Sequence, residues 1–283
     1  MKSISLPGGE RWPVLGLGTW RIGESAHERP REVASVRSAL EMGYRVIDTA
    51  EMYGEGGAEE IVGRAIEGAI RAGTVAREAL FVVSKVYPHN ASYKGVADAC
   101  DRSRKRLGLD AIDLYLLHWR GAHPLSETVS GFEALRASGA IRHWGVSNFD
   151  TDDLDELWQV PGGQACAMNQ VYYSLSERGP EFALMPWQAA HGMPLMAYSP
   201  IDQGRLAEDK RLRGLAANRG VTPAQLALAW VIARDVMAIP KAMGGSHLRD
   251  NLAAADFRLE PADLAEIDRC FPAPLRKSPL AML

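Results

Sequence analysis

Along most of the chain, short runs of apolar, often β-branched residues alternate with longer stretches whose apolar positions recur every three or four residues. The first pattern suits buried strands and the second amphipathic helices packed on one face. Strands are expected at 14–19, 44–49, 81–86, 112–118, 141–147, 166–171, 195–198 and 237–240. Helices are expected at 31–42, 59–72, 96–107, 127–137, 150–158, 182–191, 222–234 and 246–255. In the first helix Val33, Val36 and Leu40 share a face, and in the second Ile61, Ala65 and Ile66 repeat the pattern. Gly43, Gly139 and Gly192 stand where helices must end in a left-handed residue. Thr222 before Pro223 reads as an N-cap with proline in the first turn; Asp150 or Thr151, and Ser246, are further N-cap candidates.

Eight strand–helix units predict a closed parallel (β/α)8 TIM barrel. A doubly wound open sheet would need a glycine-rich phosphate loop after its first strand. Here Gly16-Leu17-Gly18 lacks a third glycine and leads into Thr19-Trp20 rather than a helix. Residues 3–6 and 11–13, flanking Pro7-Gly8-Gly9-Glu10, read as a β-hairpin suited to plugging the barrel bottom. No Pro/Ser-rich linker divides the chain, so a single domain over residues 1–283 is expected, with a short C-terminal tail after Phe271.

Composition narrows the function classes. A net charge of −3 without a Lys/Arg cluster argues against nucleic acid or an anionic membrane as partner. No apolar run is long enough to span a bilayer, and the first residues lack the apolar core of a signal peptide. Cys100, Cys166 and Cys270 are odd in number and far apart, which suits idle thiols in the cytoplasm better than disulfides or zinc. No metal is expected.

In such a barrel the C-terminal strand ends carry the chemistry. Asp48 ends the second strand, Tyr53 lies on the loop after it, Lys85 ends the third strand and His118 the fourth. Singly, each has a plain alternative: Asp48 as a cap, Tyr53 as a loop aromatic, His118 as a hydrogen-bonded residue at the core edge. Lys85 is harder to explain away, because a desolvated amine needs an anionic partner, and the neighbouring strand offers Asp48. A cation beside Tyr53 should lower its pKa from about 10 and ease proton donation. His118 would then orient a carbonyl oxygen between two donors. That chemistry calls for a hydride source.

These residues lie within segments that resemble the aldo-keto reductases along nearly the whole chain. The similar stretches include Gly16-Leu17-Gly18-Thr19-Trp20, residues 43–54, Ser84-Lys85-Val86, residues 113–119, Gly145-Val146-Ser147-Asn148-Phe149, Asn169-Gln170-Val171, Ala197-Tyr198-Ser199-Pro200 and Ile239-Pro240-Lys241. The resemblance implies a catalytic tetrad of Asp48, Tyr53, Lys85 and His118. It also implies a nicotinamide stacked on Tyr198, with its carboxamide held by Ser147, Asn148 and Gln170. A helix N-cap role remains open for one of Ser147 and Asn148. Further cofactor contacts are implied at Gly18, Thr19, Trp20, Asp48, Ser199, Ile201, Lys241, His247 and Asn251.

NADPH is expected over NADH because Lys241 supplies a cation, although His247 stands where many members have arginine and Ala242 replaces a hydroxyl residue. Trp20, Tyr87, His118 and Trp119 are candidates for the substrate pocket, Tyr87 equally readable as packing beneath a loop. The short tail suggests an open pocket. The branch resembled most is that of bacterial methylglyoxal and diketogulonate reductases, so the expected partner is a small carbonyl compound, handled by a monomer or weak homo-oligomer. An NADPH-binding regulatory subunit and a Schiff-base aldolase using Lys85 are the rival classes.

Overall fold

The structure, a computed structural model, describes residues 2–283. Within them, strands β3 (Leu17–Gly18), β4 (Val46–Asp48), β5 (Phe81–Val86), β6 (Ile112–Leu117), β7 (Ile141–Ser147), β8 (Asn169–Tyr172), β9 (Leu195–Tyr198) and β10 (Met237–Ala238) form one parallel sheet in chain order. The sheet closes on itself. Leu15 bridges Ala238, Gly18 bridges Lys241, and the Gly16 and Gly18 amides donate to the carbonyls of Ala238 and Pro240. Gly18 has to be glycine at this seam, since a Cβ there would lie 2.6 Å from the Ile239 carbonyl oxygen. This is the (β/α)8 barrel expected from the alternating pattern.

Each principal helix follows its strand: α1 (Arg29–Met42), α2 (Gly57–Arg71), α3 (Tyr93–Leu107), α4 (Leu125–Ala137), α5 (Thr151–Gln159), α6 (Leu184–Ala190), α9 (Pro223–Ala233) and α10 (Gly245–Ala254). The boundary chemistry mostly follows the sequence reading. Asp150 and Thr222 cap α5 and α9 with capping boxes, and Gly43, Gly139 and Gly192 adopt positive φ. Ser246 is not a cap. Extended Gly244 precedes α10, which puts Ser246 inside the first turn. The sixth barrel strand is assigned from Asn169 rather than Cys166, although the Ala167 amide already donates to the Trp144 carbonyl.

Three helices lie outside the expected set: α7 (Arg205–Glu208), α8 (Lys210–Asn218) and α11 (Pro261–Cys270). They bury little: Leu206 of α7, Leu212 and Ala216 of α8, and Ile267 of α11. Their apolar stripes are therefore faint, but their start signals are legible. Asp209 accepts from the Arg211 and Leu212 amides, and Glu260 precedes proline with its amide bonded to Asp263.

The barrel interior explains how the chemistry is placed. Side chains alternate between the two faces of each strand, so every second residue points inward. Val46, Phe81, Val83, Leu114, Leu116, Met168, Met196 and Met237 form a cluster distinct from the strand–helix core. The hairpin of β1 (Ser3–Ser5) and β2 (Arg11–Pro13) closes its lower end, adding Leu6 and setting Trp12 4.9 Å from the Phe81 ring. Two residues further along the same inward rows come Asp48, Lys85, His118, Gln170 and Tyr198. No helix of the described residues is long and apolar enough to cross a membrane.

Candidate active site

At the C-terminal rim opens a cavity of about 600 Å3 whose wall includes Asp48, Tyr53, His118, Trp119, Gln170 and Tyr198. Lys85 lies beneath it, fully buried. Its Nζ donates to Asp48 Oδ1 and Oδ2 at 2.7 and 2.8 Å, to the Thr49 carbonyl at 2.9 Å and to Tyr53 Oη at 3.2 Å. Gln170 Nε2 adds a further bond to Asp48 Oδ1 at 2.7 Å. Burial pulls Lys85 below the ordinary lysine value and pushes Asp48 above the ordinary aspartate value, each opposed by the partner's charge. The hydrogen-bond count favours the charged pair: every group around Nζ presents an oxygen to it, and only an ammonium has three protons to give.

Tyr53 departs from expectation. Burial holds its phenol well above 10, and the Asp48 and Tyr198 charges push in the same direction. The expected acidification by Lys85 is not seen, because Asp48 balances the ammonium and leaves little net positive field at Oη. The geometry still aims the proton. Lys85 can only donate, so the bond from Nζ occupies a lone pair of Oη and leaves the phenolic O–H free to point elsewhere. His118 is a neutral imidazole, its pKa held well below 6.5 by burial and by the Lys85 charge. Its ring centre is 5.8 Å from that of Tyr53, edge to face, and its Nδ1 has no protein partner.

The expected cofactor residues divide. Ser147 Oγ donates to the Gln170 carbonyl, and Asn148 Nδ2 bonds Ser147 Oγ and the His118 carbonyl. Tyr198 Oη donates to Asn148 Oδ1 at 2.9 Å, and its ring stacks on Tyr172. Since Asp150 caps α5, the N-cap alternative for Ser147 and Asn148 falls away. Gly18, Trp20, Ser199, Ile201 and Lys241 also line the cavity.

Besides Lys85, four expected residues do not line it. Thr19 is fully buried, with its hydroxyl on the Asp48 carbonyl. Tyr87 turns its hydroxyl to Glu55 and packs against His89 and the edge of Trp119, so it supports the pocket wall from behind. His247 is exposed on α10, and buried Asn251 on the same helix lies against Tyr44.

Other lining residues escaped the sequence reading: Arg21, Met52, Gln203, Gly204, Met282 and Leu283. The last two bring the short tail, expected to leave the pocket open, to the cavity wall, where both residues stay exposed. The tail folds back, Lys277 Nζ bonding Thr151 Oγ1 and Asp152 at the start of α5, so that Met282 and Leu283 reach the cavity. No periodic signal marks this; the clue was an isolated lysine facing an acidic helix start.

A parallel barrel with titratable groups gathered at its C-terminal rim defines an enzyme of the barrel class. The chain belongs to the aldo/keto reductase family, whose profile matches residues 14–271. It is 46% identical to methylglyoxal reductase YeaE of Escherichia coli, covering 100% of this chain and 99% of that protein. It is 34% identical to the glyoxal reductase of Bacillus subtilis, over 94% of this chain and 91% of that protein. A solved Klebsiella pneumoniae aldo-keto reductase in complex with NADPH superposes with a TM-score of 0.94 at 46% identity, covering 100% of this chain and 99% of that one.

Proposed function

We propose that this protein reduces small aldehydes, ketones and dicarbonyls of the methylglyoxal type to alcohols, using NADPH, with Tyr53 as the proton donor. NADPH supplies the hydride when bound. The residues fit such a group: a Tyr198 ring at the cavity wall, the Ser147–Asn148–Gln170 amides and hydroxyl beside it, and two cations, Arg21 and Lys241, at the same cavity. His118, neutral, keeps one ring N–H to offer a carbonyl oxygen. Tyr53 offers the second donor and gives up its proton as charge grows on that oxygen. Asp48 holds Lys85, and the Lys85 Nζ–H bond to Tyr53 Oη keeps the ring in place and stabilises the phenolate it leaves. Met282, Leu283 and Trp119 limit water and substrate size. We place this activity in a cytoplasmic monomer or weak homo-oligomer.

The single observation that carries the reading is Lys85 Nζ bonded at once to Asp48 and to Tyr53 Oη. The same bonding speaks against a Schiff-base role, which needs a free neutral amine at Nζ. Tyr53→Phe is expected to abolish methylglyoxal reduction in a NADPH-consumption assay while NADPH still binds in a calorimetric titration. Substantial turnover by that variant would sink the mechanism.

A further inference from the structure

Arg21 lines the same cavity as Lys241, and barrel closure brings these two residues from opposite ends of the chain together at the rim. Lys241 Nζ donates to the Arg21 carbonyl at 3.5 Å. Arg21 has a φ of 60°, in the left-handed region where glycine would be unstrained and a side chain is not. Its guanidinium lies over the Trp20 indole, 4.4 Å from the ring centre. That stacking uses the flat face of the guanidinium and leaves its N–H edges unused.

The charge balance is equally telling. Arg29, Arg106, Arg178 and Arg234 all meet carboxylates. Among the described residues, Arg21 and Lys241 form no ion pair. Glu24 and Glu32 act on Lys241 only at longer range, and Glu32 is turned to the Gly23 amide at 3.0 Å. Burial and the Arg21 charge both pull Lys241 below its ordinary value. Two neighbouring cations without an acid repel each other, and an anion held between them reverses the sign of that interaction. An arginine fork matches phosphate oxygens in a way that a lysine point charge does not.

We propose that Arg21 is a phosphate-binding residue, gripping a phosphate of the bound dinucleotide together with Lys241 and supplying the arginine fork that His247 lacks. The inference rests on the NADPH reading above. The adenosine 2′-phosphate and the diphosphate offer the same chemistry, and comparing the two nucleotides separates them.

The test is calorimetric titration of wild type, Arg21→Gln and Arg21→Lys with NADPH and with NADH at several salt concentrations. Arg21→Gln is expected to weaken NADPH binding about tenfold and to flatten its salt dependence, with Arg21→Lys recovering the salt dependence and part of the affinity. Loss for NADPH alone assigns the 2′-phosphate; equal loss for both nucleotides assigns the diphosphate. Unchanged affinity in Arg21→Gln, or weaker binding with the wild-type salt dependence, overturns the proposal; the second outcome means that Arg21 acts only by packing Trp20. Wild-type protein that binds neither nucleotide overturns this inference and the cofactor reading together.

Discussion

The two ends of the barrel interior use the same strands and the same inward-facing rows, but fill them oppositely. At the bottom Phe81, Val83, Leu114 and Leu116 pack with Leu6 and Trp12 of the hairpin into a dry plug. At the top the same rows continue as Lys85 and His118, with Asp48 and Gln170 beside them. Burial is nearly complete at both ends, so accessibility does not distinguish them. What differs is the use of burial: below it drives folding, and above it keeps Tyr53 protonated and His118 neutral. A two-residue step along a strand separates stability from chemistry.

The comparison breaks most severely at Lys85. Lys85→Met should lower kcat by about a hundred- to ten-thousandfold and, by leaving Asp48 buried without its cation, destabilise the fold by about 3–5 kcal/mol in urea titration. Adding Asp48→Leu should return most of the stability and none of the turnover, since an apolar pair can replace a buried ion pair. A double variant as unstable as the single one would mean that the top of the barrel has structural needs beyond charge balance. At the bottom, Phe81→Ala should cost about 3–5 kcal/mol by the same titration, with kcat preserved at a temperature where the variant is folded.

The smallest effect concerns His118 and pH. An unfolded imidazole takes up a proton near 6.5, whereas the folded one, its pKa held well below that, does not. The unfolded state then binds more protons in this interval, so stability is full above about pH 6.5 and declines as the pH falls towards the folded pKa. His118→Gln should flatten this part of the stability–pH curve. A slope unchanged in the variant would assign the acid sensitivity to other groups.

Much of this contrast was legible in the sequence, for reasons that particular residues make plain. Lys85 stood out because an amine after Phe81-Val82-Val83-Ser84 needs a buried anion, and Asp48 sits at the matching end of the neighbouring strand. The eight strands were visible because they are buried on both faces. Helices α8 and α11 were not, because two or fewer buried side chains leave almost no period to read. Tyr53's raised pKa was missed because its main cause is burial, which a position on a loop does not reveal, with the Asp48 charge pushing the same way. Arg21 and the tail were illegible for another reason: each lines the cavity only through contacts between distant parts of the chain, Arg21 with Lys241 and Lys277 with Thr151.

The seam between Gly18 and Lys241 also sets when this molecule can begin to work. The ribosome delivers Asp48, Tyr53, Lys85 and His118 early, within the first half of the chain. Strand β3 pairs early with β4, but its second neighbour, which closes the sheet, emerges only with Met237 and Ala238, and the lysine that meets Arg21 three residues later. A nascent chain that stops short of this point holds every candidate catalytic side chain and no closed wall to mount them on. The wall that mounts them therefore closes late in synthesis, when the last strand meets the first.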